Sequence, residues 1–370
     1  MSSTENTDVF RVIIAGGGTG GHIFPAIAIA NALKQQHPQT EVLFIGAHGK
    51  MEMEKVPQAG YPIEGLDIAG FNRQNFLKNL GLPYKLIKSF LKVRNVFRSF
   101  QPQAVIGVGG YSSFPVLRYA QSVSIPTFIH ESNSFAGKAN IFLGRKATRV
   151  FVASEGMDKF FPAAKLVITG NPVRKNITQA TVSRSAALDF FGLDPEKKTI
   201  LTIGGSLGAK SINEALAEHI DAFDNNGLQL IWQTGKTTAA DYQVKGAGKK
   251  NIWMHEFIKE MEMAYAAADI IISRAGAMSV TEICVAGKPV VFVPFPHAAE
   301  DHQTSNAMYL VNKQAALVVK DSEAKEKLVS TVTALANDPA RQETLKQNIK
   351  ALAVTNADEI IAKQILETIR

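Results

Sequence analysis

The 370-residue sequence has a single cysteine, Cys284, so no disulfide can form within the chain. Scarcity of cysteine suits a reducing compartment, and the apolar neighbours of Cys284 indicate a buried structural thiol. The sequence also has no long apolar run. Its longest apolar segments, such as residues 289–295, are far too short to cross a bilayer. Residues 1–8 are polar and contain no apolar signal region. We therefore expect a cytoplasmic protein without a transmembrane segment.

Acidic residues are absent from residues 68–130, which contain eight lysines and arginines. The whole chain has a formal net charge of +7, and this part of it is expected to present a basic surface. Nucleic acid, an anionic membrane and an anionic substrate are all partners that suit such a surface.

The most informative stretch is residues 16–22, Gly-Gly-Gly-Thr-Gly-Gly-His, which follows an apolar run and precedes a helix-like segment. This order is typical of a strand, a glycine turn and a helix. Glycine lets the backbone approach a ligand, and the N–H groups at a helix start favour an anion, usually phosphate. We therefore expect an anion-binding pocket here, with His22 at its mouth.

The spacing of Gly16, Gly18 and Gly21 also fits the dinucleotide fingerprint, which expects an acidic residue near the end of the second strand. The predicted second strand, residues 42–45, is followed by Gly-Ala-His and no acid. This argues against a nicotinamide-dependent enzyme. A glycine turn that only packs a helix on a sheet remains an alternative.

Short apolar segments alternate with helix-like segments along the chain, which predicts an α/β protein with parallel, doubly wound sheets. The length favours two domains. The alternation pauses near residues 170–174 and then restarts with a strand and a further glycine turn at 204–208. We place the domains at residues 1–170 and 171–370, with a last helix that can return to the first domain. Two such Rossmann-like domains are expected to face each other across a cleft.

Several predicted strands end in polar clusters. His130 and Glu131 suit an acid/base pair, although a histidine at a strand end is often structural. Ser279 and Glu282 have the spacing of a capping box, and Glu282 also suits the two hydroxyls of a ribose. Ser206 is either an N-cap or a phosphate ligand.

A metal site is not predicted. His297, Glu300, Asp301 and His302 lie in a proline-containing segment without the helical spacing of a zinc protease. The sequence also has no Asp-x-Asp pair for a nucleotide-bound divalent cation. We therefore expect neither a metal nor another cofactor.

A more specific signal comes from six segments that occur in order within residues 12–306. They are residues 17–22, 109–111, 130–133, 170–174, 204–209 and 274–282. Together they resemble the MurG family, the peptidoglycan N-acetylglucosaminyltransferases, which are two-domain enzymes of the GT-B fold.

The resemblance implies an inverting hexosyltransferase of peptidoglycan biosynthesis, and hence a part in cell shape and division. It would move GlcNAc from UDP-GlcNAc to the C4 hydroxyl of MurNAc in undecaprenyl-pyrophosphoryl-MurNAc-pentapeptide (lipid I), giving lipid II. It also implies a peripheral enzyme on the cytoplasmic face of the bacterial inner membrane. Its partners would be the lipid-linked acceptor and an anionic membrane surface, with no nucleic acid.

The resemblance also implies roles for residues of the first domain and the domain boundary. Thr19, Gly20 and Gly21 would line the cleft, and Asn133 would contact the sugar. Arg174 would contact the nucleotide and its phosphates.

In the second domain, the resemblance implies that Ser206 meets the phosphates and Ile258 contacts uracil. Glu282 would hold the ribose and Gln303 the GlcNAc. The residues implied to surround sugar and phosphates are Ala277, Met278, Ser279, Val280 and Thr281.

Inversion requires a base for the acceptor hydroxyl and stabilisation of the departing pyrophosphate, which helix N-termini and a cation supply without a metal. His22 is the expected base, and Glu131 is the competing candidate. Other possible functions are a nicotinamide oxidoreductase, a UDP-GlcNAc epimerase on a similar fold and a non-catalytic nucleotide-binding protein.

The basic region also suggests how the protein meets a membrane. One apolar stripe at helical spacing is expected to be core: Leu86, Phe90, Val93, Phe97 and Phe100. The predicted membrane seat consists of Phe76, Leu77, Leu80 and Leu82. The basic residues among them are Arg73, Lys78, Lys85 and Lys88.

Overall fold

The structure is a computed structural model that describes residues 9–68, 81–205, 207–237, 242, 248–298 and 301–370. The chain divides into two compact units. The first contains the residues up to Arg174 together with Asn356–Arg370, and the second is Lys175–Thr355.

The first unit is built on a parallel sheet. Its strands are β1 (Arg11–Ala15), β2 (Glu41–Ala47), β3 (Ile63–Leu66), β4 (Ala104–Gly107), β5 (Thr127–Glu131), β6 (Arg149–Val152) and β7 (Leu166–Ile168). Their order is β3-β2-β1-β4-β5-β6-β7, with Val12 paired with both Val42 and Ala104. β1 lies inside the sheet with Ile13 and Ile14 fully buried. A strand that is covered on both faces reads as a continuous apolar run, which is why the sequence predicted it.

Helices follow the strands of this unit. They are α1 (Gly20–Gln36), α2 (Glu52–Gln58), α3 (Leu82–Phe100), α4 (Ser113–Ser122) and α5 (Lys138–Gly144), with a 3-10 helix at Ala163–Lys165. The core stripe predicted on α3 is confirmed for Val93 and Phe97, which are buried. Phe100 packs against the same core, and Leu86 and Phe90 are half-buried.

The second unit repeats this plan with a six-stranded sheet. Its strands are β8 (Lys198–Ile203), β9 (Leu228–Gln233), β10 (Ile252–His255), β11 (Ile270–Ser273), β12 (Val290–Phe292) and β13 (Leu317–Val318), in the order β10-β9-β8-β11-β12-β13. All strand pairings recorded in both sheets are parallel. The predicted α/β fold class with two parallel-sheet domains is therefore confirmed.

The helices of the second unit cover this sheet. They are α6 (Lys175–Thr178), α7 (Arg184–Phe191), α8 (Lys210–Glu218), α9 (Asp221–Asn225), α10 (Met261–Ala267), α11 (Ala277–Ala286), α12 (His302–Asn312), α13 (Ala324–Ala336) and α14 (Pro339–Lys350), with a 3-10 helix at Asp321–Glu323. Trp232 is the largest fully buried side chain, and its indole N–H donates to Asn213 Oδ1 (2.9 Å). Cys284 is buried in α11, as predicted.

The last helix, α15 (Ala357–Ile369), belongs to the first unit. It packs on α1, and the amide of Gln36 donates to the carbonyl of Glu359 (2.8 Å). Its core residues are Ile361, Ala362, Ile365 and Leu366. Among the described residues, no helix combines the length and the apolar character of a membrane span.

The strand order reverses between β1 and β4 in the first sheet and between β8 and β11 in the second. Ligands of such sheets bind outside the carboxyl ends of the strands at these reversal points. The segments that follow these four strands are residues 16–18, 109–110, 204–208 and 274–276. These are the turns that the sequence singled out.

Candidate active site

The backbone N–H groups of the turn after β1 donate hydrogen bonds to other residues of the first unit. The N–H of Gly16 donates to Ile45 O and that of Gly17 to Gly109 O, both at 3.1 Å. The N–H of Gly18 donates to Glu52 Oε2 (2.8 Å). These three donors are therefore not available to the anion that the sequence predicted at this turn. Thr19, which precedes α1, and Gly20 and Gly21 of its first turn are the remaining predicted contacts here.

The turn after β4 packs directly against the first turn. A Cβ on Gly110 would lie 2.5 Å from Gly17 O, so only glycine fits at this position. Gly109 has φ +100°, and a Cβ there would lie 2.7 Å from His22 Nε2. The absence of a side chain at Gly109 thus makes room for the imidazole of His22.

His22 is held in one orientation by the first turn. Its Nδ1 lies 3.0 Å from Gly17 O and 3.4 Å from Thr19 Oγ1. A carbonyl oxygen only accepts hydrogen bonds, so Nδ1 carries the proton and Nε2 is the free acceptor. This tautomer is the one that a base acting through Nε2 requires.

Glu52, at the start of α2, accepts a hydrogen bond from the same turn. It is 1% exposed, and its Oε1 accepts from the N–H of Ala47 (3.0 Å) while Oε2 accepts from Gly18. A Cβ on Gly17 would lie 2.2 Å from the carboxyl carbon, and one on Gly46 would lie 2.5 Å from Cγ. Both glycines are therefore needed to admit this side chain.

His130 lies at the end of β5 and is fully buried. Burial is the main cause that lowers the pKa of His130 to about 4, and the nearby imidazole of His22 adds repulsion between the two rings when both are protonated; the His130 ring is therefore neutral at pH 7. Its Nδ1 lies 3.5 Å from Ser132 Oγ. His130 thus contributes no charge beside His22.

The Glu131 carboxylate accepts four hydrogen bonds from the loop after β5 and from the start of α5. Oε1 accepts from the backbone N–H (3.1 Å) and the side chain (3.3 Å) of Asn133. Oε2 accepts from the N–H of Gly137 (3.1 Å) and from Asn140 Nδ2 (2.8 Å). The side chain is 4% exposed and holds Asn133 in place.

Arg174 ends the first unit, and its guanidinium lies over the ring of Phe24 on α1, 5.5 Å from the ring centre. Asn171, three residues earlier, donates from Nδ2 to Ser132 O (3.0 Å). These contacts connect the end of the first unit to the first turn of α1 and to the loop after β5. Predicted site residues 19–22, 131, 133 and 174 therefore share one unit.

In the second unit, the turn at 204–208 is braced by Gln233, which is 2% exposed. Gln233 Nε2 donates to Gly205 O (3.0 Å), and its Oε1 accepts from the N–H of Ile258 (3.2 Å). Ile258 is buried, and one amide thus joins it to the turn. Ser206 lies outside the described residues.

The helix α11 begins at Ala277, and its N-cap is Gly276 without a side-chain hydrogen bond. Ser279 and Glu282 therefore lie inside the helix, and the alternative prediction of a capping box is wrong. Glu282 is 8% exposed, and its Oε2 accepts from the hydroxyl of Tyr265 (3.1 Å). The other predicted contacts on this helix are Ala277, Met278, Val280 and Thr281, of which Val280 is buried.

Gln303 in α12 has a fixed amide orientation. Its Oε1 accepts from the N–H groups of Ala275 (3.2 Å) and Phe295 (3.0 Å). Any further hydrogen bond from this side chain therefore has its NH2 group as the donor.

The arrangement of His, Cys, Asp and Glu side chains decides whether the protein could hold a metal ion. Within the described ranges, no group of three or more His, Cys, Asp or Glu side chains is placed to hold a metal ion. His297 is exposed and His302 opens α12, whereas Glu300 lies outside these ranges.

Both units match models of one protein family. Residues 12–152 match the glycosyltransferase family 28 N-terminal domain, and residues 199–364 match the family 28 C-terminal domain. A relative from Phocaeicola vulgatus is 50% identical over 360 residues, which are 96% of this chain and 96% of the relative. The chain belongs to glycosyltransferase family 28.

Family 28 relatives from different bacteria carry the same name. The Phocaeicola vulgatus protein and a Flavobacterium psychrophilum protein, 48% identical over 97% of this chain and 98% of its own, share one name. That name is UDP-N-acetylglucosamine–N-acetylmuramyl-(pentapeptide) pyrophosphoryl-undecaprenol N-acetylglucosamine transferase. The crystal structure of Acinetobacter baumannii MurG has a TM-score of 0.80 at 31% identity and covers 97% of this chain and 99% of its own. A UDP-GlcNAc 2-epimerase from Neisseria meningitidis has a TM-score of 0.67 at 16% identity, covering 97% and 100%, and shares the fold alone.

The sequence did not predict the contacts of three residues next to the segments described above. Glu52 and Gln233 brace the two glycine turns from buried positions. Arg274 is the third: it donates to Val293 O (2.9 Å) and pairs with Asp321. Glu52 lies beyond the end of β2, past the Gly-Ala-His segment in which a ribose ligand was sought, and its carboxylate accepts from backbone N–H groups.

Proposed function

We propose that this family 28 glycosyltransferase transfers GlcNAc from UDP-GlcNAc to undecaprenyl-pyrophosphoryl-MurNAc-pentapeptide in peptidoglycan biosynthesis. The observation that carries the proposal is the similarity over nearly the whole chain: relatives 50% identical over 96% of it are named for this transfer. The same similarity separates this function from that of the UDP-GlcNAc epimerases, which share only the fold.

His22 acts as the base of the transfer. Its Nε2 takes the proton of the C4 hydroxyl of MurNAc while that oxygen attacks the anomeric carbon of GlcNAc. The bond from this carbon to the UDP oxygen breaks, and its electron pair leaves with UDP. Attack from the opposite side inverts the anomeric centre. The free acceptor at Nε2, which follows from the Nδ1 contact with Gly17, supports this role.

Glu131 is less suited to this role, because each of its oxygens already accepts two hydrogen bonds. Protonation of the carboxylate would weaken several of them. Its role is to position Asn133 for the sugar.

Most of the donor contacts belong to the second unit. Glu282 holds the ribose hydroxyls, Gln303 donates from its NH2 group to GlcNAc, and Ile258 contacts uracil. The start of α11, with Ala277, Met278, Ser279, Val280 and Thr281, surrounds sugar and phosphates. Ser206 contacts the phosphates. Arg174, which belongs to the first unit, also contacts the nucleotide and its phosphates. Thr19, Gly20 and Gly21 line the substrate site. A helix N-terminus stabilises a departing pyrophosphate without a metal.

The lipid-linked acceptor requires contact with a membrane surface, and α3 offers a place for it. Three apolar side chains on α3 are exposed by 57–71%: Tyr84, Ile87 and Leu91. The helix contains no acidic residue, and its Lys85 and Lys88 lie 3.6 and 3.9 Å from Asp67. Apolar side chains next to cations favour the surface of an anionic membrane, here the cytoplasmic face of the inner membrane.

Of the membrane seat predicted from the sequence, Leu82 is half-buried at the start of α3. The others, Phe76, Leu77 and Leu80, lie outside the described residues, as do Arg73 and Lys78. The exposed stripe on α3 is therefore the seat that we test.

The membrane role is tested by co-sedimentation with anionic and neutral vesicles at low and high salt. Ile87→Ser with Leu91→Ser should reduce binding to anionic vesicles. Phe190→Ser, which changes a 50% exposed aromatic side chain of the second unit, is the matched control and should bind like the parent. Equal binding of the parent to both vesicle types, or no loss in the double variant, would contradict this seat.

The transfer itself is tested by measuring UDP release with and without a lipid I analogue. We expect release that depends on the acceptor and a β1,4-linked product, identified by NMR of the new anomeric proton. Consumption of UDP-GlcNAc without an acceptor, giving an isomeric sugar still attached to UDP, would favour an epimerase. Binding of UDP-GlcNAc without its consumption, with or without the acceptor, would favour a nucleotide-binding protein.

A further inference from the structure

The Gly17–Gly18 peptide group connects two side chains that do not touch each other. Its carbonyl oxygen lies 3.0 Å from His22 Nδ1, and its N–H donates to Glu52 Oε2 at 2.8 Å. The carbonyl and the N–H of one peptide are coupled by resonance, so a change at one end is felt at the other. A carboxylate, a peptide group and an imidazole thus form one hydrogen-bonded series.

The surroundings of Glu52 keep its carboxylate away from water and supply hydrogen-bond donors to it. The side chain is 1% exposed, and both oxygens accept backbone N–H groups, from Ala47 and Gly18, which suits the ionised form. Side chains are absent at Gly17 and Gly46, where a Cβ would collide with Glu52. A buried carboxylate that serves only to fill space would carry a large cost of desolvation.

We propose that Glu52 is a positioning residue that acts on His22 through the Gly17–Gly18 peptide. The proposal rests on the proposed function, in which His22 is the base. Glu52 polarises the peptide and makes Gly17 O a stronger acceptor for Nδ1–H. It thereby fixes the tautomer that leaves Nε2 free and stabilises the imidazolium that forms when Nε2 takes the proton.

The proton balance is simple. One proton moves from the acceptor hydroxyl to His22 Nε2, and the Nδ1 proton stays on Nδ1. Glu52 gains no proton and touches no substrate. An acidic side chain has this orienting and stabilising role towards the histidine of a serine protease, where the two are in direct contact. Here a peptide group stands between them.

The other groups beside His22 do not supply this effect. Thr19 Oγ1 is neutral and lies 3.4 Å from Nδ1. Gly109 presents only backbone to Nε2. His130 is buried and neutral. Glu52 is thus the negative charge that the recorded hydrogen bonds connect to the imidazole.

The first test is Glu52→Gln, which keeps the size and removes the charge. We expect kcat to fall by roughly 10- to 100-fold, the range for hydrogen bonds of charged groups, with the KM for UDP-GlcNAc nearly unchanged. Because the imidazolium is then less stabilised, the acid limb of the pH profile of kcat/KM should move to lower pH. An unchanged kcat and pH profile would overturn the proposal.

Two further variants separate this effect from a loss of stability. Asp269→Asn is the matched control, because Asp269 Oδ2 accepts the N–H of Thr199 (2.8 Å) and Arg184 Nη2 (3.0 Å) in the second unit. It should lower the melting temperature without moving the pH profile. Glu52→Asp retains the charge on a shorter arm, and we expect a kcat between those of parent and Glu52→Gln. A kcat of Glu52→Asp no higher than that of Glu52→Gln would contradict a role for the charge.

A second readout needs no activity. In the ligand-free protein with 15N-labelled histidine, the His22 imidazole should be protonated at Nδ1. In Glu52→Gln, or in Glu52→Asp if the glutamine variant does not fold, this Nδ1–H signal should shift and the tautomer become mixed. An unchanged imidazole spectrum would overturn the proposal. If the parent fails to transfer GlcNAc, the proposed function fails, while the spectrum still decides whether Glu52 acts on His22.

Discussion

The first glycine turn, residues 16–18, and the turn at 204–208 share one order of strand, glycine turn and helix, but the side chains that brace them differ in charge. In the first, the N–H groups of Gly16 and Gly17 donate to carbonyl oxygens and that of Gly18 donates to the Glu52 carboxylate. In the second, the contacts are with uncharged groups: Gly205 O accepts from Gln233 Nε2 and from the N–H of Gly208 (3.1 Å), and Leu207 O accepts from the N–H of Thr237 (3.4 Å). The same local sequence pattern therefore supports a buried anion in one unit and a neutral brace in the other.

Under the proposed function, this difference suits the two turns to different chemistry. The first carries its own negative charge and presents an imidazole, which suits an acceptor hydroxyl that must lose a proton. The second contains no carboxylate brace among its recorded contacts, which suits the negatively charged phosphates of a donor. The predictions below test the two halves of this comparison.

Removal of the imidazole should have the largest effect. His22→Ala should lower kcat by about 10² to 10⁴-fold, the usual contribution of a general base, and change the affinity for UDP much less. Steady-state kinetics and calorimetric UDP binding measure the two effects. Near-normal turnover in this variant, with an inactive Glu131→Ala variant, would assign the base to Glu131 instead.

Acid should destabilise the unit that contains the first turn, because His130 is buried as the neutral ring. Its folded pKa of about 4 lies below the usual 6.5, so the unfolded state binds the extra proton as the pH falls. Stability is unaffected above about pH 7 and decreases between pH 6.5 and 4. At pH 5 the loss in the free energy of unfolding should be about 2 kcal/mol.

Urea unfolding at pH 7.5 and pH 5 measures this loss. His130→Gln should reduce the difference between the two pH values. His297→Gln, at an exposed histidine of the second unit, is the control and should leave the difference as it is. A pH dependence that is the same in all three proteins would show that His130 does not titrate in this way.

The donor half of the comparison depends on Glu282. Glu282→Gln should weaken UDP binding by roughly 10-fold or more, since a hydrogen bond of a charged group contributes about 1.5–3 kcal/mol. Tyr265→Phe removes one hydrogen-bond donor to Glu282 and keeps the carboxylate, and it is the control, with a smaller effect on affinity. Calorimetry and melting temperature are measured together. An unchanged affinity with a lowered melting temperature would leave Glu282 a structural role alone.

The smallest effect is expected from metal removal. If the second turn and the start of α11 accept the phosphate charge through helix N-termini, excess EDTA should leave the transfer rate unchanged. A complete loss of activity that magnesium restores would contradict this. The assay uses the parent enzyme with both substrates at saturation.

The fold class was predictable because strands covered on both faces read as apolar runs, and because the turns at their ends need glycine. The turn after β4 illustrates this: only a glycine at Gly110 permits its contact with Gly17. The place of His22 beside the first turn was predictable as well, because it follows that turn directly in the sequence. Local order along the chain carried these inferences.

The bracing groups could not be predicted, because their partners are distant in sequence and are backbone atoms. Glu52 is 34 residues from Gly18, and Gln233 is 28 residues from Gly205. No spacing rule connects a side chain to an N–H or carbonyl group so far away. The predicted capping box at the start of α11 was wrong for a related reason. Ser279 is a residue type that often caps helices, but the extended backbone at Gly276 decides where the helix begins.

The return of α15 to the first unit bears on how the protein is made. During synthesis, residues 357–369 leave the ribosome after the whole second unit, yet Ile361 and Leu366 are part of the core that contains Ile29 and Leu33. The second unit can therefore complete its core first, while the apolar face of α1 in the first unit stays exposed until α15 has been synthesised. A stalled or clipped chain that ends before Asn356 would expose that apolar surface, which makes it a substrate for chaperones and proteases rather than a shortened enzyme.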